Sequence, residues 1–149
     1  MAISQAMATS FKQQLLLGQH NFGFETPHTF LLALYGSSAT LSAGTTSYTT
    51  AQEVGATGTY VAGGGTLTNV TPATSGTTAY TDFADLSFNS ATITARGAVI
   101  YNTTPTNVTN YPNAAVAILD FSSDQSSTAG TFTIQFPTAD GTSAILRLA

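Results

Sequence analysis

The stretch from Ala91 to Tyr101, ATITARGAVIY, is the longest run of β-favouring and largely apolar residues in the chain that contains no proline. In its first half, apolar residues alternate with threonine, as in a strand that has one buried and one polar face. From Gly97 onward both faces are apolar, which indicates a strand covered on both sides or a change of face at a bulge. The pattern predicts a central strand, with the other strands packed around it.

The composition predicts one domain with few charges. The chain has 149 residues, enough to bury about 70% of its unfolded surface in a single core. We predict a single β domain over residues 1–149, with a helical segment at residues 1–18 and a β-sandwich body at residues 27–149. Only 7% of the residues are charged, where roughly 25% is usual, and the net charge is −4. Hydroxyl and amide side chains must supply the polar surface, and such a surface costs little to desolvate against another protein.

Two classes of partner fit this composition poorly. Three basic residues cannot neutralise many phosphates, so we expect no nucleic-acid partner. The longest apolar runs, Phe30–Tyr35 and Ala114–Leu119, are about a third of the ~20 residues that a membrane helix needs, so we expect no membrane partner. The first ten residues lack the basic and apolar regions of a secretory signal.

One helix is predicted, from Ser4 to Leu17. Apolar residues recur every four positions, Ser4 suits the N-cap and Gly18 follows as a natural stop. The apolar positions are Ile3, Met7, Phe11 and Leu15. The helix either packs over the end of its own sheet or reaches a partner, and the sequence favours neither.

The rest of the chain shows short β patterns separated by turns. We predict strands at Thr29–Tyr35, Thr57–Ala62, Thr66–Val70, Thr77–Phe83, Ala114–Phe121, Thr131–Phe136 and Ser143–Leu148. Between them, Gly36–Thr50 is expected to be an ordered loop pinned by Leu41 and Tyr48, Pro72–Gly76 a turn, Asn102–Asn113 a loop, and Ser122–Gly130 a polar and mobile segment. The fold class predicted is all-β, an antiparallel β-sandwich or jelly-roll-like domain with one N-terminal α-helix.

Catalytic and metal-binding motifs are missing from the sequence. His20, His28 and Glu25 could be imagined as metal ligands, but no helical ligand spacing supports such a site. Asp120 and Asp124 lack the dense series of oxygen ligands that a calcium loop has. The chain has no Cys, and Gly63–Gly65 lacks the Lys-Ser/Thr sequence of a phosphate loop. We therefore expect neither an enzyme nor a cofactor.

Arg96 is the one charged residue within the central strand. If it is buried it must find a carboxylate or carbonyl oxygens. Asp82, Asp85 and Asp120 are the candidates, and we select a structural ion pair between Arg96 and Asp120.

Several blocks of the sequence resemble a known family. The blocks FKQQLLLGQHNF (residues 11–22), FLLALYGSSATL (30–41), FNSATITARGAVIYN (88–102) and GTFTIQFPTADGTSAILRLA (130–149) are similar to capsid decoration (cement) proteins of tailed bacteriophages. The resemblance covers nearly the whole chain. It implies a small β protein, often a homotrimer, made in the host cytoplasm and bound to the major capsid protein on the outside of the virion. It supplies no catalytic residues.

In such a protein each copy would bridge and stabilise neighbouring capsid subunits, and cyclic symmetry would multiply weak contacts. The N-terminal helix is our first choice for the capsid or inter-subunit contact. Phe11, Leu15 and Leu16 are the candidate anchors, because a few large side chains usually dominate an interface, and Lys12 is a candidate rim contact.

A second hypothesis is a host-recognition or tail-fibre module that binds cell-surface glycan. Aromatic side chains among hydroxyl groups would serve that function, and the candidates are Tyr48, Tyr60, Tyr80 and Tyr111. The number of copies in each virion distinguishes the two hypotheses, since decoration requires many more.

Overall fold

The fold is all-β and sandwich-like. In the computed structural model, which describes residues 2–23, 25–106 and 111–149, strands make up 49% of the chain in two antiparallel sheets, with one short helix. The elements in chain order are β1 (Ala6–Met7), α1 (Thr9–Leu16), β2 (Phe30–Tyr35), β3 (Gly65–Thr66), β4 (Asn69–Ser75), β5 (Thr78–Phe83), β6 (Leu86–Asn102), β7 (Ala114–Ile134) and β8 (Leu146–Leu148). The larger sheet has the order β1-β7-β6-β2-β3, and the smaller has the order β4-β5-β8.

Strand β6 contains the predicted central strand and lies between β2 and β7. Its second half, from Ala98 to Ile100, is fully buried, as the run of apolar residues predicts. The register shifts between Ala95 and Gly97, so a bulge, one of the two alternatives that the sequence left open, also occurs there. A Cβ atom on residue 97 would lie 2.4 Å from the carbonyl oxygen of Leu119, so this close approach of two strands requires glycine.

Strand β7 is longer than the sequence predicts. Residues 122–130, expected to be a mobile polar segment, lie within it and pair with the first half of β6. On one face, hydroxyl groups of the two strands form hydrogen bonds with each other, as Thr94 and Ser126 do. On the opposite face, the side chains of Ala91, Ile93 and Ala95 of β6 are buried. This polar segment can therefore form a strand because the neighbouring strand, β6, supplies the apolar side chains that are buried beside it.

Helix α1 is shorter than the predicted Ser4–Leu17 helix. It begins after Ala8, an extended N-cap residue that makes no side-chain capping bond. Before it, Ala6 and Met7 pair with Ile118 and Ala117 as β1. The Ala8 N–H donates to the carbonyl oxygen of Val116 at 2.9 Å. Residues Ala6–Ala8 therefore form their backbone hydrogen bonds with β7 and not within a helix. The helical spacing of the sequence could not predict this pairing with a distant strand.

Four further segments differ from the sequence expectations. Thr57–Ala62 is a turn, in which Thr57 and Tyr60 bond to each other, and the predicted Thr66–Val70 strand is divided between β3 and β4. Residues 72–75 belong to β4, which tolerates Pro72 because its register shifts between Val70 and Ala73. The last strand covers only Leu146–Leu148. Residues 107–110 of the predicted Asn102–Asn113 loop lie outside the described residues.

The core draws on both sheets and on the helix. Phe30 of β2 stacks on Phe22 at 4.4 Å between ring centroids and lies 5.7 Å from Phe83 of β5. The loop after β2 is ordered as predicted, since Leu41 is buried and Tyr48 packs against the core. The larger sheet is therefore covered on both faces along β2 and the second half of β6, and one of its faces is exposed where the first half of β6 pairs with β7.

Candidate interaction surfaces

Phe11, the first predicted interface anchor, is a core residue. Its side chain is 1% exposed and meets the ring of His20 at 4.8 Å and that of Phe22 at 5.9 Å, both edge-on. Helix α1 turns Phe11 and Gln14 inward. Phe11 therefore fixes the helix to its own domain and cannot serve as a contact to a partner.

The other three predicted residues lie at or near the surface of α1. Leu15 is half-buried, Lys12 is exposed, and Leu16 is 90% exposed. The sequence interpretation missed Leu17, which is 65% exposed. Successive residues in a helix point about 100° apart, so the run Leu15–Leu17 could not be buried on a single face. We call Leu16 and Leu17 the leucine end of α1.

An apolar groove lies between α1 and the smaller sheet. Its volume is about 370 Å³, and Met7, Leu15, Phe22, Pro72 and Leu148 are among the residues that line it. Arg147 also lines the groove, and its guanidinium donates to the carbonyl oxygen of Thr142. Among the described residues, the only carboxylate within 4.0 Å of a basic side chain belongs to the Arg96 pair, so Arg147 has no such partner there.

A second surface is made of hydroxyl groups on β6 and β7. Ser87 and Thr133 bond across the strands at 2.8 Å, and Thr94 and Ser126 do so at 3.0 Å. These side chains point away from the core, because their neighbours Phe88 and Ile93 point into it. We call the exposed set the hydroxyl face; it comprises Ser87, Asn89, Thr92, Thr94, Ser126, Thr131 and Thr133.

Arg96 pairs with Asp124 and not with the predicted Asp120. The Arg96 Nε atom lies 2.8 Å from Oδ1 of Asp124, and the two side chains are 36% and 44% exposed. Ala95 is opposite Gln125 and Gly97 is opposite Asp120, so β7 bulges outward opposite Arg96 and brings Asp124 to it. Asp120 turns back to accept a hydrogen bond from the Ser122 N–H at 2.8 Å. Arg96 is thus more than half buried and paired with a carboxylate, as expected, but with a different one.

His20 and His28, considered as metal ligands, are joined by the buried amide of Asn102. The Asn102 Nδ2 atom lies 2.9 Å from Nδ1 of His20 and 3.0 Å from Nδ1 of His28. An amide nitrogen only donates, so both Nδ1 atoms act as acceptors, and the His20 Nε2–H then donates to Oε1 of Gln14 at 2.8 Å. Burial, and secondarily the nearby His28, lower the pKa of His20 to about 4. In the described part of the chain, no three His, Cys, Asp or Glu side chains converge as a metal site would require.

Glu53, which the sequence interpretation also missed, forms hydrogen bonds with two of the tyrosines proposed to bind glycan. Its carboxylate accepts from the hydroxyls of Tyr48 at 2.6 Å and Tyr60 at 2.8 Å, and from the Gly63 N–H at 2.7 Å. Burial and the charge of Glu53 raise the pKa of Tyr101, which stacks on Tyr48, to about 12. Tyr60 is fully buried, so the expectation that it offers an exposed ring is wrong.

Of the other two tyrosines, Tyr80 is half-buried and Tyr111 is exposed. The four side chains therefore do not form one exposed aromatic surface.

Comparisons of the chain with models of protein families, with curated proteins and with solved structures gave no match. Within the described residues, no helix is both long and apolar enough to cross a membrane.

Proposed function

We propose that this protein is a structural, non-enzymatic component of a phage virion, which decorates the outside of the capsid and bridges neighbouring subunits of the major capsid protein. It is made in the host cytoplasm and binds the shell as a homotrimer without a cofactor. The observation that carries the proposal is the hydroxyl face, a rigid surface on two long paired strands without a net charge. The sequence resemblance to decoration proteins supports the same role.

The hydroxyl face suits binding to a protein lattice because its desolvation costs little. Its polar groups already bond to one another, as in the pair Thr94–Ser126, so they keep partners when water leaves. Arg96 and Asp124, which flank the Thr94–Ser126 pair, neutralise each other, and the carboxylate of Asp85, near Ser87, accepts a hydrogen bond from the Phe136 N–H at 2.8 Å. An isolated ion would cost far more to bury than a bonded hydroxyl group.

Binding to many equivalent sites strengthens such weak contacts. If the three copies of a trimer each contact the shell, the second and third contacts form at high effective concentration. An exposed face on two long paired strands can contact two neighbouring capsid subunits at once, which is how decoration would stabilise the shell.

A binding experiment with capsids tests this proposal. Purified protein is added to heads that lack it, the heads are sedimented, and the bound protein is measured. We expect saturable binding of the wild-type chain, and strongly reduced binding of Thr94→Lys and Thr133→Lys, because each places a charge on the hydroxyl face. Thr74→Lys is the matched control, since it adds the same charge to an exposed position on β4 of the other sheet.

Two outcomes would contradict parts of the proposal. If Thr74→Lys abolishes binding while the two hydroxyl-face variants bind normally, the shell contacts another surface. If wild-type protein does not bind heads but binds host-cell glycan, the tail-fibre hypothesis replaces decoration.

A further inference from the structure

We infer that the leucine end of α1 in one copy of this chain occupies the apolar groove of a second copy. The inference rests on the proposed function, because it identifies the contact that would join the copies of the proposed homotrimer. It concerns contacts between copies, whereas the hydroxyl face concerns the capsid.

The leucine end is held rigidly in an exposed position. Phe11 fixes α1 in the core, and Gln14 bonds the helix to His20 at 2.8 Å. Leu16 and Leu17 therefore cannot turn inward without moving the helix. Together with the apolar groove that adjoins them at Leu15, the two exposed leucines extend an apolar patch that a partner could cover.

The groove has the size and chemistry to accept these two side chains. Its volume of about 370 Å³ equals that of roughly twelve water molecules at ~30 Å³ each, and two leucine side chains contain only about eight carbon atoms. Met7, Phe22 and Leu148 supply apolar contacts along its walls. Insertion would remove apolar surface from water on both partners.

Charge complementarity selects a helix C-terminus as the occupant. The last turn of α1 has no basic residue to offset the partial negative charge of its carbonyl groups. Among the described residues that line the groove, Arg147 is the only charged one, since His20 is neutral. No carboxylate oxygen of the described residues lies within 4.0 Å of its guanidinium, and its charge acts on Asp140, whose pKa it helps to lower. The leucine end thus brings a partial negative charge to a guanidinium that has a carbonyl partner but no direct ion pair among the described residues.

The contact joins two different patches of the same chain. Two copies can form it reciprocally across a twofold axis, and larger numbers of copies can form it head-to-tail in a ring or a filament. The leucine end and the groove adjoin at Leu15, which lines the groove and precedes Leu16. A closed ring of three copies is the assembly that the proposed function requires.

Sedimentation equilibrium of the full chain, over a range of concentrations up to about 100 µM, tests the inference. We expect the wild-type protein to self-associate and the double variant Leu16→Gln/Leu17→Gln to do so at least ~100-fold more weakly, because it removes two buried leucines. Both residues are exposed in the isolated fold, so folding is unaffected. Val61→Gln is the matched control, since Val61 is an exposed apolar residue away from the groove.

A second variant blocks the groove itself. Ala79 is exposed and lines the groove, so Ala79→Trp fills it from the rim and should weaken self-association in the same way. Mixing this variant with Leu16→Gln/Leu17→Gln pairs one intact leucine end with one intact groove. We expect a complex that contains one copy of each variant and grows no further. The two patches left over, the blocked groove of one variant and the altered helix end of the other, cannot bind a third copy.

The outcomes separate this inference from the proposed function. A wild-type chain that stays monomeric at about 100 µM, or a leucine variant that associates like the wild type, overturns the inference even if the protein decorates heads. Self-association that both variants abolish supports the inference even if heads are not bound. In that case the proposed decoration of capsids is contradicted, while the inferred contact between copies is supported.

Discussion

The side-chain amide of Asn102 donates to the ring of His20, with 2.9 Å between Nδ2 and Nδ1. The contact joins the end of β6 to the segment after α1, and both side chains are buried. It requires a neutral ring with the proton on Nε2, because a protonated Nδ1 would have to donate toward another donor. Folding therefore holds His20 in its uncharged form.

We expect the protein to lose stability as the pH falls from about 6.5 to about 4. The pKa of His20 is 6.5 in an unfolded chain and about 4 in the fold, so the unfolded state binds the extra proton within this window. The contribution is fully present above pH 6.5 and falls by up to about 3 kcal/mol at pH 4. Urea unfolding at several pH values measures it.

His20→Gln provides the comparison, because it keeps a polar side chain but removes the titrating group. The variant should be less stable at neutral pH and should show a smaller dependence on pH. Other groups, such as Asp82 with its raised pKa and His28 with its lowered pKa, also contribute, so the difference between the two proteins is the test. A His20→Gln variant whose free energy of unfolding changes between pH 7 and pH 4.5 as much as that of the wild type would contradict the structure of this site.

Truncation of two residues of the same helix, Phe11 and Leu16 of α1, should change the free energy of unfolding by very different amounts. Phe11→Ala should destabilise the fold by about 3–5 kcal/mol, since it removes a buried ring and leaves a cavity. Leu16→Ala should change the free energy of unfolding by no more than ~0.5 kcal/mol, because Leu16 is exposed. Thermal or urea unfolding of dilute protein compares them. Equal effects would mean that α1 is not docked through Phe11.

The ion pair of Arg96 should contribute little to stability. Both partners are partly exposed, so Arg96→Ala is expected to cost less than about 1 kcal/mol rather than the ~3 kcal/mol of a stranded buried charge. Asp124→Asn should have a similar small effect, and added salt should reduce the difference from the wild type. If Asp120→Asn is the damaging variant and Asp124→Asn is neutral, the pairing described here is incorrect.

Gly64 should be intolerant of any side chain. Its φ angle is +87°, and a Cβ atom would lie 1.8 Å from the carbonyl oxygen of Leu32, so Gly64→Ala must displace β2. We expect a loss of more than about 3 kcal/mol or a failure to fold. Gly76→Ala is the control, with a positive φ angle of +59° but open space around it, and should cost about 1–2 kcal/mol. Similar unfolding midpoints for the two variants would contradict the close packing of Gly64.

The sequence was sufficient where a local pattern determines the structure. The alternation before Gly97 and the apolar run after it predicted the central position of β6, and they left a bulge as one of two alternatives. Phe30–Tyr35 was recognisable as a buried strand because its apolar side chains are continuous along the chain. These features depend on neighbouring residues alone.

It was insufficient where distant segments decide the outcome. β1 exists because β7 offers an unpaired edge, and Asp124 reaches Arg96 only through a bulge in β7. Asn102 and His20 are 82 positions apart, so no sequence spacing could connect them. Phe11 was misassigned because the apolar face of the predicted amphipathic helix was assigned to a partner, whereas it packs against the domain itself.

An image reconstruction of the intact virion tests the central proposal most directly. We predict copies of this β-sandwich on the outside of the shell, three around each occupied symmetry axis, with the hydroxyl face of β6 and β7 against the capsid subunits. The number of copies should follow the number of equivalent lattice positions. A reconstruction that places the chain only at the tail, or that shows an undecorated shell, would contradict the proposed function.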